Sequence, residues 1–307
     1  MLAGYFWSGS DVERFLPLAK FMYWFFLWDD EIDCGRLAND AKGTQAYRES
    51  TLAFLKRTLE PDMPEPGPSY DAADHNSGCF EEISPALRSG TTVESRRRFA
   101  DSLYDYVDSV CAVQETREER LPGLGCYFAN RELSIGAYPC IMAMEFAYDV
   151  RVPHWIYEDS HMRTMFRETA ISCIVLGPLI PRSALTRPQL TGISVNDIIS
   201  LRKELIAGQF DSVIPLKMLH DPSLSAQDAM NEACQDLVRS KRVFQEAESS
   251  LSDSDAFRQL SAATKAEVRT LLTGCKNMMV GNVKWSLAND RYLSRKDSQD
   301  RAVRLHL

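Results

Sequence analysis

Phe21-Met22-Tyr23-Trp24-Phe25-Phe26-Leu27-Trp28-Asp29-Asp30-Glu31-Ile32-Asp33 is the stretch on which the reading of the fold turns. From Phe15 to Trp28 the side chains are apolar on almost every face of a helix, which suits a helix packed among other helices rather than one lying on a surface. The longest fully apolar run, Phe21 to Trp28, is far short of the roughly 18 to 20 residues that cross a bilayer. Directly after it come four carboxylates. With about 3.6 residues per turn, Asp29 and Asp33 differ by about 40° around the helix and point into one space, a turn apart. Carboxylates that repel each other on one face ask for a cation. A solvated acidic helix end is the plainer alternative, and the aromatic run just before it favours a cavity mouth instead.

Outward from this stretch the pattern stays helical, with apolar residues at three- and four-residue steps and no series of short alternating strands, so an all-α fold is expected. Thr44 to Leu59 reads as an amphipathic helix. Prolines at 61, 64, 66 and 68 end it and predict a Pro-rich loop over 61–84. Val93 to Glu119 carries Phe99, Leu103, Tyr106, Val107, Val110 and Val113 on one stripe and breaks at Pro122 and Gly123, with a second helix through Arg131. From Ile171 an apolar helix runs into Gly177, Pro178, Pro181, Pro188 and Gly192 and resumes near Ser194. Ala226–Glu248 and Ala256–Asn289 complete roughly nine to eleven helices, expected as one domain over 1–307.

The chain has 307 residues, 45% hydrophobic and 25% charged, which excludes disorder and fibre. Forty-three acidic against thirty-five basic residues, a net charge of −8, argue against a nucleic-acid surface. No basic, apolar secretory leader is evident, so a cytoplasmic protein is expected. The eight cysteines and five histidines are scattered, with no C-x-x-C pair and no H-E-x-x-H helix, which disfavours zinc and Ser-His-Asp chemistry. The charged runs Arg96-Arg97-Arg98 and Gln114 to Arg120 read as solvated helix faces.

A second motif, Asn196-Asp197-Ile198-Ile199-Ser200-Leu201-Arg202-Lys203-Glu204, sets Asn196, Ser200 and Glu204 within about 80° of one helical face. An amide oxygen, a hydroxyl and a carboxylate are hard donors that suit Mg²⁺, which keeps waters and takes phosphate oxygens to complete its octahedron. Taken alone, the motif also reads as a helix N-cap at Asn196 followed by ordinary polar positions. The D-D-x-x-D run, the N-D-x-x-S-x-x-K-E run and Arg291-Tyr292 together resemble the class I terpene synthases, most of all fungal sesquiterpene cyclases. Tyr127-x-x-x-Arg131 with Gly136 following, and Asn282 to Tyr292 with Trp285, extend the resemblance from about Phe15 to Tyr292.

The resemblance implies a helical bundle around a central apolar cavity. It implies that Asp29 and Asp33 hold two Mg²⁺ ions and that Asn196, Ser200 and Glu204 hold a third. Arg131, Lys203, Arg291 and Tyr292 would contact the diphosphate of a prenyl substrate, expected to be farnesyl diphosphate, and no protein nucleophile is implied. Phe25, Phe26, Trp28, Phe128 and Trp285 are candidates for the apolar wall. The expected activity is a lyase that ionises the substrate, cyclises the carbocation and releases diphosphate, in a monomer or homodimer without nucleic acid or membrane span. A shortened helical relative that at most binds diphosphate is the alternative, and prenyl-chain elongation, which resembles a pair of D-D-x-x-D motifs, is more distant. Two departures from the family stand out: the part before Asp29 looks short, and the Pro/Gly-rich segment at about 177–192 looks inserted.

Overall fold

The computed structural model describes residues 2–33, 35–60, 76–117, 123–174, 210 and 212–288. These form α1 (Ala3–Phe6), α2 (Val12–Asp33), α3 (Ala41–Leu59), α4 (Phe80–Gly90), α5 (Val93–Arg117), α6 (Leu124–Ser134), α7 (Ala137–Met142), α8 (Met144–Tyr148), α9 (His154–Glu158), α10 (Ser160–Ile174), α11 (Val213–His220), α12 (Ala226–Asp253), α13 (Asp255–Arg258) and α14 (Ala262–Ala288). Among the described residues there is no strand, as the period of the apolar residues predicts. No described helix is long and apolar enough to cross a membrane.

Helix α2 is the centre of the aromatic core. Phe21 meets Phe25 and Phe99 edge to face at 5.4 and 5.3 Å, and Trp24 stands perpendicular to Phe80 at 5.1 Å. The buried indoles are also satisfied as donors: Trp24 Nε1 donates to Ser77 Oγ at 3.1 Å and Trp28 Nε1 to Thr51 Oγ1 at 2.9 Å. These contacts bring α3, α4 and α5 around α2. Its burial is one-sided, however. Val12, Leu16, Tyr23 and Leu27 form an exposed stripe, so the expectation of a helix covered all round holds for the aromatic face alone.

The Pro-rich loop expected over 61–84 is shorter at its far end. Asn76–Cys79 form a 3₁₀ turn and α4 starts at Phe80, because Phe80, Ile83 and Leu87 repeat at helical spacing and are buried, Phe80 against Phe21 and Trp24 of α2. Pro85 lies inside α4 rather than ending it. The rest of that loop, residues 61–75, lies outside the described residues, as does the segment at 177–192. The C-terminal helical stretch also splits, into α13 and α14, between Arg258 and Ala262.

Helix α12 opens with a reciprocal cap: Ser225 Oγ accepts from Asp228 N at 3.2 Å and the Asp228 carboxylate accepts from Ser225 N at 3.2 Å. It runs alongside α10, to which Ser240 is tied by a 3.3 Å hydrogen bond with Ser172. Arg98 departs from the solvated reading of its basic run. Its Nη2 donates to Glu145 Oε2 at 2.6 Å, its guanidinium lies 4.0 Å over the Tyr157 ring, and Glu145 is 2% exposed. A buried acid on α8 has drawn one of three consecutive arginines inward.

Candidate functional site

The last turns of α2 carry Asp29, Asp30, Glu31 and Asp33, with no basic residue in the final turn. Asp29 and Asp33 are half-buried. Burial pushes the Asp29 carboxyl above its usual range, and the nearby Asp33 and Asp30 push the same way, while the charge of Arg131 and a hydrogen bond from Tyr106 oppose them. Helix α6 presents Arg131 in its last turn. Asp29, Asp33 and Arg131, far apart in sequence, are therefore brought into one electrostatic neighbourhood. Asn196, Ser200, Lys203, Glu204, Arg291 and Tyr292 lie outside the described residues.

The turn after Arg131 is locked onto α2. Gly136 has φ 72°, a left-handed conformation that favours glycine, and a Cβ there would overlap the ring of Phe25. That contact sets α6 and its arginine against the helix one turn before Asp29. It also leaves a small apolar cavity of about 80 Å³, lined by Phe25, Phe26, Gly136, Cys140, Asn282 and Trp285 among others. Pockets for small molecules run to roughly 300–1,000 Å³, so the described residues bound only a small part of such a space.

Phe26 and Trp285 stack across this cavity at 5.2 Å and 29°. Two other expected wall residues do not border this small cavity. Trp28 is fully buried against Tyr47 and Thr51, because its indole finds both a stacking partner and an acceptor on α3. Phe128 packs edge-on against Tyr127 and does not line the cavity. Asn282, inside the stretch singled out near the C-terminus, donates from Nδ2 to the Cys173 carbonyl at 3.1 Å and so ties α14 to the end of α10. Burial raises the thiols of Cys140 and Cys173, which stay protonated at neutral pH and supply no thiolate nucleophile.

Tyr106 is a neighbour of this site that no sequence motif marks. Its hydroxyl donates to Asp29 Oδ1 at 3.2 Å from a ring that is 1% exposed. The one available signal was a phenol within the otherwise apolar stripe of α5, since a buried tyrosine needs a partner for its hydroxyl. A larger described cavity, about 560 Å³, lies between α5, α6, α7 and the start of α10, lined by Arg98, Asp105, Glu132, Tyr138 and Arg167. None of the described metal or diphosphate candidates lines it, and Tyr106, which does, also touches Asp29.

Among the described residues no three His, Cys, Asp or Glu side chains converge to hold a metal. The donors that are described nevertheless fit a hard divalent cation. Two carboxylates share one helical face, and the shift of Asp29 arises from burial and like charge, both of which a cation would relieve.

Residues 20–176 match the family model for terpene synthase family 2, C-terminal metal binding. The chain is 28% identical over 307 residues to the terpene cyclase braA of Annulohypoxylon truncatum, covering 98% of this chain and 74% of that one. A cucumene synthase variant superposes with a TM-score of 0.73 at 20% identity, over 95% of this chain and 86% of that one. The linalool/nerolidol synthase of Streptomyces clavuligerus, solved in complex with 2-fluorogeranyl diphosphate, superposes with a TM-score of 0.73 at 17% identity, over 95% and 86%. The fold is that of the class I terpene synthases, all-α. The chain belongs to terpene synthase family 2.

Proposed function

We propose that this family member is a Mg²⁺-dependent sesquiterpene synthase, a lyase that ionises farnesyl diphosphate, cyclises the resulting carbocation and releases diphosphate. The observation that carries the reading is the meeting of Asp29, Asp33 and Arg131 at the end of an aromatic helix beside an apolar cavity. Asp29 and Asp33 would hold two Mg²⁺ ions and Asn196, Ser200 and Glu204 a third. Bound there, Mg²⁺ supplies Lewis-acid neutralisation of the charge that develops on the departing diphosphate.

The chain's own residues do the rest. Arg131, Lys203, Arg291 and Tyr292 bind the diphosphate by charge-assisted hydrogen bonds and orient the breaking C–O bond toward the apolar side. The ring faces of Phe25, Phe26 and Trp285 stabilise positive charge on the hydrocarbon and keep water away until quenching. A prenyl diphosphate analogue in the Streptomyces neighbour supports the substrate class. The reading extends to one domain over 1–307, working in the cytoplasm as a monomer or homodimer.

The test is a product analysis. Purified protein is given ten-, fifteen- and twenty-carbon prenyl diphosphates with Mg²⁺, and volatile products are identified by gas chromatography with mass spectrometry. A cyclic fifteen-carbon product that disappears on chelation is expected. Absence of any product, with Mg²⁺-dependent binding of diphosphate retained, would replace this reading by that of a non-catalytic diphosphate binder.

A further inference from the structure

We propose that Tyr106 is a positioning residue for Asp29, fixing the orientation of that carboxylate for cation binding. The inference rests on the metal-binding reading of Asp29. Tyr106 comes from α5, yet its ring is clamped by α2: it lies 4.2 Å from the ring of Phe25 and 5.5 Å from that of Trp28, the residue adjacent to Asp29. With the ring 1% exposed and packed against both of these rings, the hydroxyl has little freedom, and it donates to Asp29 Oδ1 at 3.2 Å. That distance is long for a hydroxyl bonded to a carboxylate, so the bond contributes through orientation more than through strength.

A carboxylate at the end of a helix rotates freely about its last bond unless something holds one oxygen. Fixing Oδ1 from α5 selects one orientation and presents a defined edge to the ion. Outer hydrogen bonds of this kind hold ligands in other metal sites, where their loss costs about 10–100-fold in metal affinity.

The variant Tyr106→Phe keeps the ring and removes only the hydroxyl. Calorimetric titration with inorganic diphosphate over a series of Mg²⁺ concentrations is expected to show about a tenfold rise in the Mg²⁺ needed for half-maximal binding. Tyr47→Phe is the matched control: it removes a hydroxyl from another ring stacked on Trp28, where it accepts from Asn76 Nδ2 at 2.9 Å, and should leave the Mg²⁺ requirement unchanged. An unchanged requirement in Tyr106→Phe, or an equal rise in Tyr47→Phe, overturns the positioning role while leaving the metal reading intact. Failure of the unmodified protein to bind diphosphate with Mg²⁺ overturns the metal reading and this inference with it.

As a second readout, the same titration is made on Asp29→Asn with and without Tyr106→Phe, each variant first checked for an unchanged circular dichroism spectrum. With the carboxylate gone, the hydroxyl has no charge to hold, so the two should need the same Mg²⁺. A further tenfold rise in the double variant would overturn the proposal.

Discussion

The ring of Phe25 occupies the space that a Cβ on Gly136 would need, and Gly136 holds φ 72°. Helix α2 and the turn behind Arg131 are thus fitted to each other at one residue each. Gly136→Ala must both adopt a strained backbone and displace the ring, at a cost of roughly 2–4 kcal/mol. Gly125→Ala, whose Cβ would meet nothing within 4 Å, should be neutral or slightly stabilising. Urea denaturation of the two variants checks the contrast.

Glu145 is buried on α8, accepting from Arg98 Nη2 at 2.6 Å and from Val152 N at 2.9 Å. Glu145→Ala strands the guanidinium of Arg98, whose side chain is only 16% exposed, and should destabilise by about 3–5 kcal/mol. Glu145→Gln keeps an acceptor for the Val152 amide and should cost clearly less. Thermal melting of the two variants against the unmodified protein measures the difference.

Trp28 holds α3 against α2 through Thr51 and Tyr47. Trp28→Phe keeps much of the ring but leaves the Thr51 hydroxyl without this donor and opens a small void. A loss of about 2 kcal/mol is expected, against roughly 3–5 kcal/mol for Trp28→Ala. A loss near zero for Trp28→Phe in denaturant unfolding would show that the hydroxyl contact contributes little.

Replacing Trp285 by Leu removes the stacking partner of Phe26 in the apolar cavity. Under the proposed activity, Trp285→Leu should change the ratio of terpene products and slow turnover, while shifting the melting temperature far less than Trp28→Ala. An unaltered product ratio would remove Trp285 from the wall.

Arg131→Ala and Asp29→Asn should each weaken Mg²⁺-dependent binding of inorganic diphosphate by tenfold or more, and chelation should abolish it in the unmodified protein. Asn196→Ala and Glu204→Ala carry the same expectation. Calorimetry with and without Mg²⁺ provides the readout.

The helices were legible in the sequence because their apolar residues recur at helical spacing, and the Asp29–Asp33 pair because one turn of helix fixes their common face. The nearness of Arg131 was legible only through resemblance, since its motif lies on another helix and no local rule relates the two. Three features escaped the residues taken alone. The start of α4 was hidden by the polar run before it, although Phe80, Ile83 and Leu87 carry the period. Arg98 looked like its exposed neighbour Arg97 until Glu145 supplied a buried partner. Tyr106 sat in a core stripe, where a hydroxyl reads as packing until its acceptor across the bundle is known.

The acidic end of α2 has one more consequence. The carboxyl end of a helix carries roughly half a negative charge from its aligned peptide dipoles, and cations there are favourable. This helix places four acids in that region and no base in its last turn. Local rules are broken in this way at sites kept for function rather than for stability. The end of α2 is electrostatically frustrated, and on the proposed reading the stability it forgoes is recovered when a cation binds.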